Sequence, residues 1–177
     1  MAYEIIRSEK VFDGILIDVY HDIIRLPDGR AAAREIVRHA PAAAVLPVDT
    51  DGKLIFVRQY RHALKGLALE IPAGILEKGE DPAVGAAREL EEETGRVAGK
   101  LSFIFRFYSS IGFCDEELSV FLAEDLTATS QKLDEDEFLT LEKYTAEEAF
   151  QMIADGRIVD SKTTAAVLYY RSISRQG

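Results

Sequence analysis

The stretch that decides the fold is GILEKGEDPAVGAARELEEETG, residues 74–95. Asp81 followed by Pro82 is a strong helix start, because an aspartate side chain caps free backbone N–H groups and proline suits the first helical position. Gly95, directly after Thr94, is a strong helix stop. The stretch therefore predicts a loop, a helix that begins at the Asp81 cap, and a second turn.

Three glutamates of the predicted helix share one face. Glu89, Glu92 and Glu93 have the spacing i, i+3 and i+4, which places neighbouring Cβ atoms about 5–6 Å apart. Carboxylates this close repel one another, and a divalent cation such as Mg²⁺ reverses the sign of that interaction. Arg88 adjoins the cluster and is predicted to pair with one carboxylate, Glu80 being a candidate, and so to fix its orientation. A solvated helix face is the alternative interpretation.

Composition and charge exclude several classes of protein. The 177 residues carry 21 basic and 31 acidic side chains, a net charge of −10, and residues 77–93 hold seven acids against two bases. Such a charge disfavours a nucleic-acid polymer as partner. No window approaches the ~20 apolar residues of a membrane span, so we expect no membrane association. Cys114 is the only cysteine, which rules out an internal disulfide and predicts a cytoplasmic protein.

The rest of the chain predicts an α+β fold. The alternation at residues 15–20, the turn at residues 27–29 and the run to Val37 indicate an N-terminal antiparallel β-hairpin unit, residues 1–37, before a main domain, residues 38–177. A capping box at Thr145 and Glu148 predicts a second helix. Asp160 or Ser161 is predicted to cap a last helix, with Ala165, Leu168 and Tyr169 on one apolar face. Further strands are predicted at residues 42–48, 53–59, 101–108, 118–126 and 138–144.

The spacing within residues 74–95 carries a family resemblance. Gly74 is followed by five residues, Glu80, seven residues, Arg88-Glu89-Leu90, one residue, Glu92-Glu93, one residue and Gly95. This pattern resembles the Nudix box, the loop–helix–loop signature of the Nudix hydrolases. One position departs from it: Arg96 stands where a hydrophobic residue is usual. The resemblance implies an α/β/α sandwich with a mixed central sheet, and hydrolysis of a nucleoside diphosphate linked to another moiety.

The resemblance also implies a metal site. By position, Glu89 and Glu93 correspond to the principal metal ligands, Glu92 to an assisting ligand, and the carbonyl of Ala73 to a further one. The implied cofactor is Mg²⁺, with Mn²⁺ as an alternative. Glycines such as Gly74 let the loop bring its backbone close to the ions.

A wider resemblance, to the ADP-ribose pyrophosphatase group of that family, spans nearly the whole chain. It is carried by residues 57–61, 69–74, 109–116 and 121–123, and by the N-terminal hairpin unit. It implies hydrolysis of ADP-ribose to AMP and ribose 5-phosphate by a homodimer. Ile111 departs from the group, which usually has proline there, and keeps open a preference for other ADP-sugars or nucleoside diphosphate sugars.

The residues for chemistry and substrate binding follow from that group. Its general base lies on a loop well past the box, and the acidic segment 132–138 occupies the matching place. Glu137 is the first choice for the base or an additional ligand, and Glu135 is the second. Arg38 and Arg61 are candidates for phosphate or terminal-ribose contacts, because guanidinium groups match phosphate oxygens. Glu70 is a candidate for binding a sugar hydroxyl or a water molecule.

Two other functions can be weighed on sequence alone. A non-catalytic, nucleotide-binding Nudix module predicts the loss of box carboxylates, and this chain keeps all of them. An RNA-decapping enzyme is disfavoured by the net charge and by the absence of a basic stripe in the sequence.

Overall fold

The computed structural model describes residues 3–133 and 137–174, which form two compact units. The first unit contains the N-terminal residues up to Pro41 together with residues 107–117, and the second contains residues 42–106 and the chain from Leu118 onward. A division at residue 38 does not anticipate that residues 107–117 belong with the N-terminal strands. The division itself stays a prediction.

The first unit is a three-stranded antiparallel sheet in the order β1-β2-β3, formed by β1 (Glu4–Asp13), β2 (Ile17–Arg25) and β3 (Ala31–His39). The predicted turn between β2 and β3 is present: Gly29 has φ 88° and donates a 2.9 Å hydrogen bond to the carbonyl of Leu26. Residues 107–117 attach to β3, where the N–H of Val37 donates to the carbonyl of Phe113 at 2.7 Å.

The second unit contains two sheets and three helices. Its elements are β4 (Ala42–Pro47), β5 (Leu54–Arg61), β6 (Gly66–Glu70), β7 (Ala73–Ile75), α1 (Pro82–Thr94), β8 (Arg96–Tyr108), β9 (Glu117–Ala128), β10 (Leu139–Tyr144), α2 (Ala146–Ala154) and α3 (Ser161–Ser174). One sheet has the order β7-β4-β9-β8, with β4 antiparallel to β7 and parallel to β9. The other, β10-β5-β6, is antiparallel. The first sheet is therefore mixed, as predicted.

Strand β4 is the centre of the core, since all six of its residues are buried, as expected of a strand covered on both faces. Both α1 and α3 pack on it. Helix α1 contributes two fully buried residues, Ala86 and Leu90, to an apolar core cluster that includes Val45. This packing fixes the rotation of α1 and so decides where its glutamates lie.

The predicted helix limits are largely confirmed. The Asp81 side chain accepts from the N–H of Ala83, and Gly95 ends α1 in the left-handed conformation, with φ 62°. Both hydrogen bonds of the capping box at Thr145 and Glu148 are present. The predicted face of the last helix is wrong: α3 buries Lys162, Thr163, Ala166 and Val167, whereas Ala165 and Tyr169 are half-buried and Leu168 is exposed. Among the described residues, no helix has the length and apolarity needed to cross a membrane.

Candidate active site

Strand β7 brings its backbone directly against the box helix. Ala73 and Gly74 pair with Ala44 and Ala43 of β4, and the end of the Glu89 side chain fills the space beside Gly74. A Cβ atom at residue 74 would lie 2.0 Å from Oε1 of Glu89 and 2.2 Å from its Cδ. Only glycine therefore lets the Glu89 carboxylate occupy this position.

Arg88 organises the carboxylates around it. Its guanidinium group donates to both oxygens of Glu80 at 3.1 Å, to Oε1 of Glu89 at 2.6 Å and to Oε2 of Glu92 at 3.0 Å, and it also reaches the carbonyl of Ile75 at 3.2 Å. These bonds, above all the one to Glu80, raise the pKa of Arg88. The predicted pairing of Arg88 with Glu80 is confirmed, and the arginine binds two glutamates of the predicted metal site as well.

Glu93 is the most deeply buried of the box carboxylates, with 2% of its surface exposed. Burial raises its pKa to about 8, and the charges of Glu89 and Glu137 act in the same direction, against a hydrogen bond from the Ala73 backbone. Its Oε2 atom is buried and has no hydrogen-bond partner among the described residues. A buried, unpartnered carboxylate oxygen costs free energy, so this atom is suited to an external cation.

Glu89 has a similar environment. It is 7% exposed, and burial raises its pKa, while Arg88 lowers it and the charges of Glu92 and Glu137 raise it further. Burial of two neighbouring carboxylates without two internal cations is costly, and a divalent ion relieves that cost.

The donor set fits a hard divalent cation, although no three carboxylate, imidazole or thiol groups within residues 3–133 and 137–174 already converge as a metal site. Arg88 holds Glu89 and Glu92 in the present arrangement, while Oε2 of Glu93 is left without a partner. The glycine at residue 74 keeps the space beside Glu89 free of a side chain. Oxygen donors of this kind are those that Mg²⁺ prefers.

The start of the acidic loop is attached to the end of α1. Gln131 donates from its side chain to the carbonyl of Glu93 at 2.5 Å, and the N–H of Lys132 donates to the carbonyl of Glu92 at 2.9 Å. These bonds satisfy carbonyls that a helix end leaves without partners. Glu137, after this loop, affects the pKa of both Glu89 and Glu93 by its charge. Glu135 lies outside the described residues.

The three predicted substrate-binding residues fall into two groups. Arg61, at the end of β5, donates to both oxygens of Glu70 at 2.7 and 2.9 Å, and Lys162 of α3 donates to Oε2 of the same glutamate. Burial alone would raise the pKa of Glu70, but these two cations outweigh it and lower the pKa to about 2. Arg38 belongs to the first unit, where it donates to Oδ2 of Asp115 at 2.8 Å.

Sequence reasoning gave no reason to single out Lys162. A lysine in the first turn of a helix is normally a solvent-exposed residue, and only its tertiary contact with Glu70, 92 positions earlier, distinguishes it. That contact has no local signal in the sequence.

Comparison with known proteins agrees with this geometry. An ADP-ribose pyrophosphatase of Bacillus subtilis (strain 168) is 48% identical over 166 residues, which cover 93% of this chain and 90% of the relative. A methanol dehydrogenase activator of Bacillus methanolicus is 45% identical over 166 residues, with the same coverage of 93% and 90%.

A solved structure described as an ADP compounds hydrolase superposes with a TM-score of 0.90 at 23% identity, over 100% of this chain and 97% of that one, which confirms the predicted fold. The sequence model described as NUDIX domain matches residues 38–167. A match over most of the chain, together with the box geometry around Glu93, establishes that the chain belongs to the Nudix domain family.

Proposed function

We propose that this Nudix hydrolase cleaves the pyrophosphate bond of ADP-ribose, giving AMP and ribose 5-phosphate. The observation that carries the proposal is the buried Oε2 atom of Glu93, which has no partner among the described residues and lies on the box helix with Glu89 and Glu92. The relative from Bacillus subtilis, named an ADP-ribose pyrophosphatase, supports the choice of substrate.

The proposed cofactor is Mg²⁺, with Mn²⁺ as an alternative. The residues that would hold it are Glu89, Glu92 and Glu93, with the carbonyl of Ala73. When bound, such an ion neutralises the diphosphate oxygens and lowers the pKa of a coordinated water molecule. Without this neutralisation, a substrate diphosphate would be repelled by the box carboxylates.

Glu137 is the proposed general base, which takes a proton from the water that attacks phosphorus as the P–O–P bond breaks. Support comes from the effect of its charge on Glu89 and Glu93, and from the attachment of the preceding loop to α1 by Gln131. Glu135 remains the second choice. Arg88 would act by holding Glu80, Glu89 and Glu92 in place, as its hydrogen bonds indicate.

Arg61 and Arg38 are proposed to bind the phosphates or the terminal ribose. Arg61 is supported by its position: its side chain is 44% exposed, although its guanidinium group is fixed by Glu70, and its charge acts on Glu93. Glu70 is 3% exposed and bound by two cations, so its proposed part in substrate binding is through Arg61.

The test is a turnover panel of ADP-ribose, ADP-glucose, GDP-mannose, UDP-glucose and NADH with Mg²⁺, with product identification by chromatography. We expect the highest kcat/KM for ADP-ribose, and AMP as a product. The Glu93→Gln variant should lose the activity. A preference for another member of the panel would contradict the proposed substrate, and turnover unchanged by Glu93→Gln would contradict the proposed site.

Two observations favour second candidates. Ile111, in place of the group's usual proline, favours hydrolysis of other nucleoside diphosphate sugars, which the same panel measures. The 45% identical methanol dehydrogenase activator favours an action on a dehydrogenase. Adding the purified chain to a methanol dehydrogenase assay tests the latter, and an unchanged dehydrogenase rate would exclude it for the enzyme used.

The proposal includes a homodimer that forms through the first unit, in the cytoplasm. Strand β1 is exposed along all ten residues, and its exposed side chains include Ile5, Val11 and Phe12, an apolar surface that association would cover. The single cysteine, Cys114, supports the location. Light scattering at micromolar concentration should give the mass of two chains, and a monomer mass would contradict the dimer.

A further inference from the structure

Lys162 is a buried lysine in the first turn of α3, with 8% of its surface exposed. Lysine is almost never this buried unless it is paired. Its ammonium group binds Oε2 of Glu70 and lies 3.2 Å from Oδ1 of Asp160. The contact with Glu70 joins α3 to the end of β6, three residues before Ala73.

Glu70 is shared between two cations. Arg61 occupies both of its oxygens in a bidentate pair at 2.7 and 2.9 Å, and Lys162 adds a third donor at Oε2. A bidentate pair fixes the plane of a guanidinium group. Since Lys162 also binds Oε2 of this carboxylate, Glu70 cannot rotate to follow Arg61 without losing its ion pair with Lys162.

The sharing also decides the net charge of the side chains around Arg61. A glutamate paired with one arginine neutralises it, whereas a glutamate paired with two cations leaves a net positive charge on the group of three. Asp160 supplies a second negative charge, so the four side chains are balanced overall; its Oδ1 atom lies beside Lys162, and its Oδ2 atom accepts from the N–H and hydroxyl groups of Thr163. Removing the Lys162 charge would therefore leave an excess negative charge beside Arg61, whose side chain is the half-exposed member of the group.

The first turn of α3 holds the backbone of the same segment as well. The N–H of Ile71 donates to the hydroxyl oxygen of Thr163 at 2.8 Å, and that hydroxyl donates to Oδ2 of Asp160 at 2.6 Å. On the other side, the carbonyl of Pro72 accepts from the N–H of Val45 at 2.9 Å. The chain that leads into Ala73 is thus fixed independently of Lys162, so that removing the lysine charge should leave this backbone in place.

We infer that Lys162 is a positioning residue for the proposed hydrolysis: it shares Glu70 with Arg61, and so keeps the Arg61 guanidinium group oriented, and the charge around it balanced, for a phosphate of the substrate. This inference rests on the proposed function and assigns to α3 a part in substrate binding. Within the described part of the chain, the ion-pair partners of Lys162 are Glu70 and Asp160, so its proposed effect on the substrate passes through Arg61.

The test is a double-mutant cycle on ADP-ribose hydrolysis with Lys162→Met, Arg61→Ala and the double variant. Lys162→Met keeps the length of the side chain and removes its charge. We expect its KM to rise about tenfold with kcat nearly unchanged, since the loss is one of substrate binding. In the Arg61→Ala background, Lys162→Met should raise KM no further, and Lys162→Arg should restore the wild-type KM to within about twofold.

The control is Lys100→Met, which removes the lysine of an exposed ion pair with Glu124 in the same unit, and which should leave KM unchanged. An equal rise in KM from Lys162→Met in both backgrounds would overturn the inference, as would an unchanged KM in the single variant. If Lys162→Met does not fold, Lys162→Gln replaces it with the same expectation, and failure of both to fold would show a purely structural role and also overturn it. Absence of turnover in the wild type would instead refute the proposed function.

Discussion

Replacement of Gly74 by alanine is the sharpest test of the site geometry. The added Cβ atom would lie 2.0 Å from Oε1, 2.2 Å from Cδ and 2.5 Å from Oε2 of Glu89. The clashing atoms are the end of a flexible side chain, so the backbone can stay in place while the carboxylate moves. We therefore expect a selective loss of activity with a small effect on folding.

The size of the effect follows from these distances. Non-bonded carbon and oxygen atoms need about 3.4 Å, so the Glu89 carboxylate must move by more than about 1 Å, and a shift of about 1 Å at a catalytic group costs about 100-fold in rate. The displaced carboxylate would also lose its 2.6 Å hydrogen bond from Arg88. We expect kcat/KM for ADP-ribose with Mg²⁺ to fall at least about 100-fold and the free energy of unfolding to fall by about 1 kcal/mol.

The assay is steady-state turnover together with urea unfolding, and Gly66→Ala is the matched control. Gly66 starts β6 in the same unit, and its nearest neighbour to an added Cβ lies 3.9 Å away, so alanine should fit and the activity should persist. Near wild-type turnover in Gly74→Ala would refute the reasoning that Glu89 must occupy this space. Loss of folding in Gly74→Ala, with Gly66→Ala intact, would show that the loop cannot yield and would refute the expected selectivity.

Three further predictions concern carboxylates. Glu70→Gln should lower the free energy of unfolding by about 3 kcal/mol at neutral pH, because Glu70 has its pKa lowered from 4.5 to about 2. That stability is present above pH 4.5 and is lost as the pH falls toward about 2, so urea unfolding should show the gap between variant and wild type narrowing to about half by about pH 3; a constant gap would exclude this origin. Glu137→Gln should reduce kcat by orders of magnitude with little change in KM, whereas Glu124→Gln, which alters an exposed ion pair, should leave both unchanged; if Glu135→Gln has the large effect instead, the order of the two candidate bases is wrong. Mg²⁺ should raise the melting temperature of the wild type and not that of Glu93→Gln, since a ligand that binds only the folded state stabilises it; an equal rise in both would remove Glu93 from the metal site.

The box could be predicted from the sequence because its geometry is local. The Asp81 cap, the helix stop at Gly95 and the shared face of Glu89 and Glu93 all follow from spacing within one helix and its flanking turns. The mixed sheet and the family also followed, since the box spacing carries them. These features need no knowledge of which distant residues meet.

Features that depend on distant contacts could not be predicted. The attachment of residues 107–117 to β3 joins Val37 to Phe113, which lies 76 positions later in the sequence. The face of α3 was wrong for the same reason. An apolar pattern places Leu168 inward, but in the structure Leu168 is exposed and Lys162 is buried against Glu70. An unpaired buried carboxylate would cost more free energy than the exposure of one leucine. A sequence pattern that scores only apolar residues cannot detect such a pair.

The negative charges of Glu70 and Glu93, both buried in the second unit, are compensated to different extents within the protein. Glu70 is satisfied from within the protein, since Arg61 and Lys162 bind it and lower its pKa to about 2. Glu93 is at least as well buried but has a pKa raised to about 8 and an oxygen with no partner in the described part of the chain. Burial alone therefore does not distinguish a structural carboxylate from one kept for a ligand.

The position of the internal cations makes that distinction. The N–H groups of Arg88 donate to Glu80, Glu89 and Glu92 and to the carbonyl of Ile75. Arg88 therefore stabilises the arrangement of the site while its hydrogen bonds leave Glu93 without a cationic partner among the described residues. Supplying a further internal cation at Glu93 would remove the free-energy cost of its buried charge, and with it the reason for an external ion to bind there. In the proposed metal site, Glu93 is the carboxylate that no internal cation within residues 3–133 and 137–174 satisfies, and a divalent ion would take the place of that cation.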